Sequence, residues 1–311
     1  MIIGVGEKRN RKCLKNFATH NGIFHCDEVV GIAILLIANS SRACYVVRTR
    51  DIDELSKIGI VIDVGGGKFD HHMAGFNRCR PTGEKYASAG LVWEEYAKDA
   101  IRSVMLDVAY ALEDDEIEAI KALIDQEFII PVDLEDNGIK ASEHRFSFIT
   151  SYLPAWNAEQ DFNAAFMEVV QIVVSILEKA IRDKIMQFAS KHELEKRCKF
   201  VVDGICEIPA QTVQWLEFVV KYNASHNNEI KFVIYPYPDG GWAAQCVPPS
   251  LEKKLEQLVP FPEEWAGGNQ YTLPQISGIS GAILCHNGRF FARAINQEVI
   301  TKMCKVAMSQ K

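Results

Sequence analysis

The sequence contains no Cys-x-x-Cys pair. Its nine cysteines stand singly at 13, 26, 44, 79, 198, 206, 246, 285 and 304. That spacing suits neither a disulfide framework nor a cysteine-built zinc module, and it implies reduced thiols in an intracellular compartment. No apolar run is long enough to cross a bilayer; the longest, Val29 to Ala38, reads as a buried helix. The opening residues, MIIGVGEKRNRKCLKN, are basic but lack the apolar segment of a secretory signal. Cytoplasm, nucleus and mitochondrion all remain compatible. A surplus of positive charge is missing too: the net charge is -7, which excludes coating nucleic acid by bulk electrostatics and leaves only a local basic groove. There is no internal repeat or low-complexity tract. With 48% hydrophobic and 24% charged residues in 311, the chain has the balance of a globular protein and the length for two domains.

What is present is a concentration of metal-type side chains. ATHNGIFHCDEVVG, from Ala18 to Gly31, and IVIDVGGGKFDHHMAGF, from Ile60 to Phe76, gather His20, His25, Asp27, Asp63, Asp70, His71 and His72. Each cluster follows a short apolar run and so lies where a buried strand ends, the edge at which open α/β sheets bind ligands. Imidazoles and carboxylates without thiolates suit Mn²⁺ or Mg²⁺ better than structural zinc. Two-metal hydrolysis needs a bridging carboxylate and several terminal ligands around cations roughly 3.5–4 Å apart. His20, His25, Asp27, Asp63, His71 and an aspartate within 133–136 are the candidates. A lone histidine beside a strand is more often structural, but His-x4-His-x-Asp joined to an Asp seven residues before Asp-His-His is a far more specific pattern. Cys26, between His25 and Asp27, reads as a buried thiol.

The rest of the chain fits two lobes. Strands at Lys15–Thr19, Ala43–Arg48 and Ile60–Val64 alternate with helices at Val29–Ala38 and from Asp51 to Ile58, the order of a parallel sheet covered on both faces. Glycines 65–67 allow the backbone to approach a metal or phosphate closely. Helical periodicity runs through SAGLVWEEYAKDAI and DDEIEAIKALIDQEFIIPVD, ending in an Asn137-Gly138 turn. A long helix over about Glu159–Lys196 joins the lobes. Short strands follow (Phe200–Val202, Ile230–Tyr235, Trp242–Val247), then a hairpin, GAILCHNGRFFARA, turning at His286-Asn287-Gly288, and a closing helix from Gln297 to Met308. The expected fold is α/β, with a parallel-sheet domain over 1–190 and a smaller α+β domain over 191–311.

The stretches THNGIFHCDE, RTRD, IDVGGGKFDHHMAGF, SAGLVWEEY and DLEDNG resemble the Myg family (melanocyte-proliferating-gene product), a branch of the DHH phosphoesterase superfamily. GGWAAQCVP, PFPEEWAG and SGISGAILCHNGRF are similar to the family's C-terminal blocks, so the resemblance covers nearly the whole chain. It implies 3'-5' exonucleolysis of RNA with two Mn²⁺ or Mg²⁺ ions. It places His20, His25, Asp27, Asp63 (bridging) and His71 as ligands and His72 facing the scissile phosphate, with Asp63 and His72 as the catalytic pair. Asp70 would orient an imidazole. Asp136 is the preferred last ligand and Asp133 the runner-up.

Arg48 and Arg50, ending the second strand, are placed to meet a phosphate; the alternative is an ion pair with Asp51 or Asp53. In the C-terminal lobe the resemblance points to His286, Gly288 and Arg289 as substrate contacts, with Arg293, Ser277 and Gly278 nearby. There Phe290-Phe291-Ala292-Arg293 stands where the family pattern has a glycine pair, which bears on substrate choice. The expected partner is single-stranded RNA or an oligonucleotide, with no membrane. A small-molecule phosphohydrolase and a non-catalytic binding protein are the competing functions.

Overall fold

A computed structural model describes residues 3–6, 15–39, 44–108, 110–139, 148–153, 161–197, 203–211, 214–227 and 229–310. Two compact units divide the chain, Met1–Ile185 and Met186–Lys311. The expected division at 190/191 falls a few residues later in the same long helix.

In the first unit, β1 (Ile3–Gly6), β2 (Lys15–Thr19), β3 (Cys44–Arg48) and β4 (Ile60–Val61) form an all-parallel sheet in the order β1-β3-β2-β4. β1 has no counterpart in the sequence expectations. β4 is shorter than the Ile60–Val64 expected, because Ile62 pairs with Phe69 and Asp63 turns out of the sheet. Phe17, Ala18 and Thr19 of β2 are fully buried, as a strand covered on both faces requires. Helix α1 (Cys26–Ala38) starts three residues before Val29 because Glu28 accepts the His25 N–H through both carboxylate oxygens, each at 2.9 Å. Every residue from Cys26 to Ile37 is buried. Gly31 lets this helix lie close to the sheet: a Cβ there would stand 2.9 Å from Ile62 Cδ1.

Asp51 caps α2 (Ile52–Leu55) through the Asp53 and Glu54 N–H groups. Helix α3 (Ser88–Val108) packs on α1. Helix α4 (Asp114–Ile124) passes through a π-helical turn at Asp125–Ile129 into α5 (Ile130–Asp136). Asp133 therefore lies inside a helix, and only Asn137-Gly138 makes the turn, with Gly138 at φ 72°. The short α6 (Phe148–Ser151) precedes α7 (Phe162–Arg197), the long helix expected at Glu159–Lys196.

The second unit holds β5 (Ile205–Glu207), α8 (Leu216–Ser225), β6 (Phe232–Pro236), β7 (Trp242–Cys246), α9 (Leu273–Ser277), β8 (Ala282–Cys285), β9 (Phe291–Ala294) and α10 (Gln297–Ser309). Among the described residues its mixed sheet runs β5-β6-β7-β9-β8, with only the β5–β6 pair parallel. The strand expected at Phe200–Val202 lies outside the described residues. Alternation along β6 sends Phe232 and Ile234 to a core shared with α10, and Val233 and Tyr235 to one shared with α8. Among the described residues no helix is long and apolar enough to cross a membrane.

Candidate metal centre

From β2 the chain passes to β3 on one side and returns to β4 on the other, so the C-terminal ends of β2 and β4 frame a topological switch point. His20 leaves β2 there and Asp63 leaves β4. His20 Nε2 lies 3.2 Å from Asp63 Oδ2 and 3.1 Å from Glu28 Oε1, which α1 presents from its first turn. Asp63 is held at φ 60°, a left-handed conformation costly for a non-glycine residue. Its backbone N–H donates to Phe69 O at 3.0 Å. Its Oδ1 accepts from Ser88 Oγ at 2.9 Å and faces Nδ1 of His72 at 3.2 Å and of His71 at 3.5 Å. Asp63 thus joins β2, the start of α3 and the two histidines His71 and His72.

His71 is gripped from both nitrogens. Nε2 meets Asp136 Oδ2 at 3.0 Å, at the end of α5, and Nδ1 meets Ser88 Oγ at 3.1 Å, at the start of α3. Asp27 Oδ2 lies 3.7 Å from the same Nδ1. Asp70 accepts the Gly66 N–H at 2.8 Å and the His72 N–H at 2.9 Å, and its Oδ1 is 3.3 Å from His72 Nδ1. It closes the glycine turn and stands beside the His72 imidazole. The His72 side chain is 62% exposed, beside the more enclosed His71.

Among the described residues, four overlapping triads bring ligand atoms within 4.8 Å of one another: His20/His25/Glu28, Asp27/Glu28/Asp63, Asp27/His71/Asp136 and Asp63/His71/His72. Every ligand position expected from the sequence, His20, His25, Asp27, Asp63, His71 and Asp136, falls in these triads. Asp27, Glu28 and Asp63 bury three carboxylates together, an arrangement that demands compensating positive charge. Burial raises the Asp27 carboxyl well above the usual carboxylate range, and Asp63 and Glu28 add to it. Burial opposes charge on His20, yet Asp63 and Glu28 outweigh it and lift the imidazole to about 10. His71 is likewise raised by Asp136 against burial, and Asp136 is lowered by His71. Asp27 Oδ1 is buried without a hydrogen-bond partner among the described residues. An orphaned carboxylate oxygen among imidazoles and carboxylates fits a divalent cation.

Other expected residues lie elsewhere. Asp133 is outside the triads: its Oδ2 is 2.8 Å from Arg80 Nη1, and its Oδ1 accepts the Gly90 N–H at 2.9 Å. Arg48 is fully buried and bonded to protein groups, with Nη1 to Phe162 O at 3.1 Å and Asn163 Oδ1 at 3.3 Å and Nη2 to Gly22 O at 2.9 Å. Burial lowers its pKa to about 10. It holds the His20–His25 loop to the start of α7 instead of opening toward a phosphate, a correction to the sequence expectation. Arg50 is exposed at the same strand end. In the second unit the turn closes through Arg289, at φ 57°, and not through Gly288; the exposed His286 accepts the Gly288 N–H on Nδ1 at 3.0 Å. Arg293 pairs with Asp239 and lies over Tyr237, and Ser277 and Gly278 close α9. Ala292 is buried in the sheet. Cys26 is buried, its thiol directed at Val132 O.

Glu28 and Ser88 are the residues that sequence reasoning missed. Glu28 looks like ordinary first-turn charge on α1, but its place three residues after His25, in a helix that is apolar from Val29 onward, is the signal that could have found it. Ser88 stands out in the sequence only as the first residue of α3.

Residues 16–308 match the MYG1 exonuclease family, described as an uncharacterised protein family (UPF0160). The "MYG1 exonuclease" of Rattus norvegicus is 28% identical over 336 aligned positions, covering 98% of this chain and 87% of that one. The "MYG1 protein" of Chlamydia trachomatis serovar D is 29% identical over 314, covering 96% and 98%. Among solved structures, RecJ from Thermus thermophilus in complex with Mn²⁺ aligns at 15% identity with a TM-score of 0.24, covering 94% of this chain and 52% of RecJ, so the chain spans about half the RecJ length. With nearly its full length matched, and the histidine and aspartate clusters lying inside the match, the chain belongs to the MYG1 family.

Proposed function

We propose that this protein is a metal-dependent phosphodiesterase, a 3'-5' exonuclease of RNA or short oligonucleotides working by two-metal hydrolysis. The observation that carries the reading is the convergence of four imidazole and carboxylate triads at the switch point of a parallel sheet. His20, His25, Asp27, Asp63, His71 and Asp136 would hold two divalent cations, Mn²⁺ or Mg²⁺. When bound, such ions supply Lewis acidity toward the phosphoryl oxygens and a water acidic enough to attack at neutral pH. The names of the relatives supply the exonuclease class.

The chain's own groups do the rest. Asp63 and Asp70 occupy the Nδ1 side of His72, leaving Nε2 of this exposed ring to donate a proton toward the phosphate or the leaving oxygen. Ser88 and Asp136 fix the His71 ring. Arg50 meets a backbone phosphate of the substrate. In the second unit His286, Gly288 and Arg289 form the substrate-binding turn, and bulky Phe290 and Phe291 follow it in place of a glycine pair.

The test is hydrolysis of 5'-labelled single-stranded RNA, beside pyrophosphate and a dinucleotide, with Mn²⁺ or with EDTA, for wild type and His72→Ala. A ladder shortening from the 3' end that needs metal and vanishes in the mutant is expected. Phosphate release from the small substrates alone reassigns the protein as a small-molecule phosphohydrolase, and no turnover leaves a binding protein.

A further inference from the structure

Outside the ligand set lies a buried ionic assembly with no part in the mechanism above. Arg80 is 5% exposed. Its Nε and Nη2 bond Asp125 at 2.8 and 2.7 Å, and its Nη1 lies 2.8 Å from Asp133 Oδ2. Its guanidinium lies over the Tyr86 ring at 4.3 Å. Arg80 opens a small turn, in which it accepts the Gly83 N–H and donates to Glu84 O, and the chain then runs through Tyr86 into Ser88. Asp125 stands in the π-helical turn and Asp133 one turn before Asp136. A second link crosses the same gap: Asn137 Nδ2 donates to Tyr86 O at 3.3 Å and Asp133 O at 2.8 Å. Gly90 has no room to be anything larger, since a Cβ there would collide with the Asp133 carboxylate and stand 2.8 Å from Arg80 Nη2.

Ser88 and Asp136, the two groups that grip opposite nitrogens of His71, belong to the two segments that Arg80 joins. We propose that Arg80 is a positioning residue of the metal centre: by tying Asp125 and Asp133 to the turn that leads into α3, it sets the separation at which Ser88 and Asp136 orient His71. This rests on the metal-centre reading above. A purely structural ion pair could be replaced by apolar side chains of similar volume without loss. A pair that orients ligands from outside their shell typically changes metal affinity roughly 10–100-fold when removed.

The full chain is titrated with Mn²⁺ by calorimetry and followed by electron paramagnetic resonance, for wild type, Arg80→Lys, the pair Arg80→Met with Asp133→Leu, and Asp136→Asn. The pair removes the two fully buried charges together and leaves without a partner only the Asp125 carboxylate, whose side chain is 26% exposed, and the Gly90 N–H, so its melting temperature is expected to fall by only a few degrees while Mn²⁺ affinity falls roughly 10–100-fold. Arg80→Lys, which keeps the charge, is expected to recover part of the affinity. Should the pair melt early, Asp133→Asn, which keeps the shape and an acceptor for Gly90, carries the same comparison. Wild-type affinity in a folded pair, or in Asp133→Asn, overturns the proposal alone. Failure of the wild type to bind Mn²⁺, or of Asp136→Asn to weaken it, overturns the metal-centre reading and the proposal with it.

Discussion

Replacing Arg48 with methionine separates two roles for an arginine that the sequence places at a strand end. Methionine keeps the unbranched stem but loses bonds to Gly22 O, Phe162 O and Asn163 Oδ1. It also loses the stacking on Phe166, whose centroid is 4.4 Å from the guanidinium. Charge-assisted bonds contribute about 1.5–3 kcal/mol each and a partly desolvated cation–π contact about 1–2. Against that, removal relieves the burial of a charge whose Nε has no partner among the described residues, worth about 1–3 kcal/mol. Because the three bonds come from one guanidinium, and two of them share Nη1, they do not add in full, and a net loss at the low end of these sums, about 3–4 kcal/mol, is expected. In a first unit that ends at Ile185, this corresponds to a fall in Tm of roughly 5–15 °C. Because Gly22 lies between His20 and His25, Mn²⁺ affinity is expected to fall as well. The assay is thermal melting by circular dichroism with and without Mn²⁺, beside KM for the labelled RNA. An unchanged Tm with KM raised tenfold would refute the structural role and return Arg48 to the substrate.

Three further outcomes are expected. Ser88→Ala removes the hydroxyl shared by Asp63 and His71 and should lower kcat about tenfold with Tm shifted by only a few degrees, since one net hydrogen bond contributes about 1 kcal/mol; an unchanged kcat counts against the clamp on His71. Gly90→Ala should destabilise the first unit by about 2–4 kcal/mol, as overpacking against a buried ion pair does, and a stabilised variant in thermal melts would contradict that packing. EDTA treatment should lower Tm, and Mn²⁺ at about 100 times its Kd should restore about 2.7 kcal/mol, because the cluster of Asp27, Glu28 and Asp63 otherwise has only the His20 and His71 imidazoles to offset its charge; indifference of Tm to metal would argue against a bound cation.

The sequence carried the first lobe well where chemistry and periodicity coincide. Lys15–Thr19 appears as a strand with the expected bounds, and His20, Asp27, Asp63, His71 and Asp136 come together across more than a hundred residues. β1 was hidden because four residues in a basic opening offer no periodicity. Arg48 was misjudged because a strand end fixes a position along the sheet and not the face on which a long side chain finds its partners. Glu28 was hidden behind its ordinary role as helix-start charge. Only the family resemblance put Asp136 ahead of Asp133, since an Asn-Gly turn by itself signals where a helix ends but not which of its last carboxylates points to the cluster.

The π-helical turn at Asp125–Ile129 is a device of register. In an uninterrupted α-helix, residues eight apart, such as Asp125 and Asp133, would be out of phase by about 80°; with one residue absorbed by the wider turn they differ by only about 20° and reach the same guanidinium. Pro131 follows at the second position of α5, and its missing N–H means that reverting to the α register regains no bond there. The proline therefore works as a lock on helical phase. Chain length in this turn, as much as the identity of the aspartates, decides which carboxylate faces Arg80 and which is left for His71.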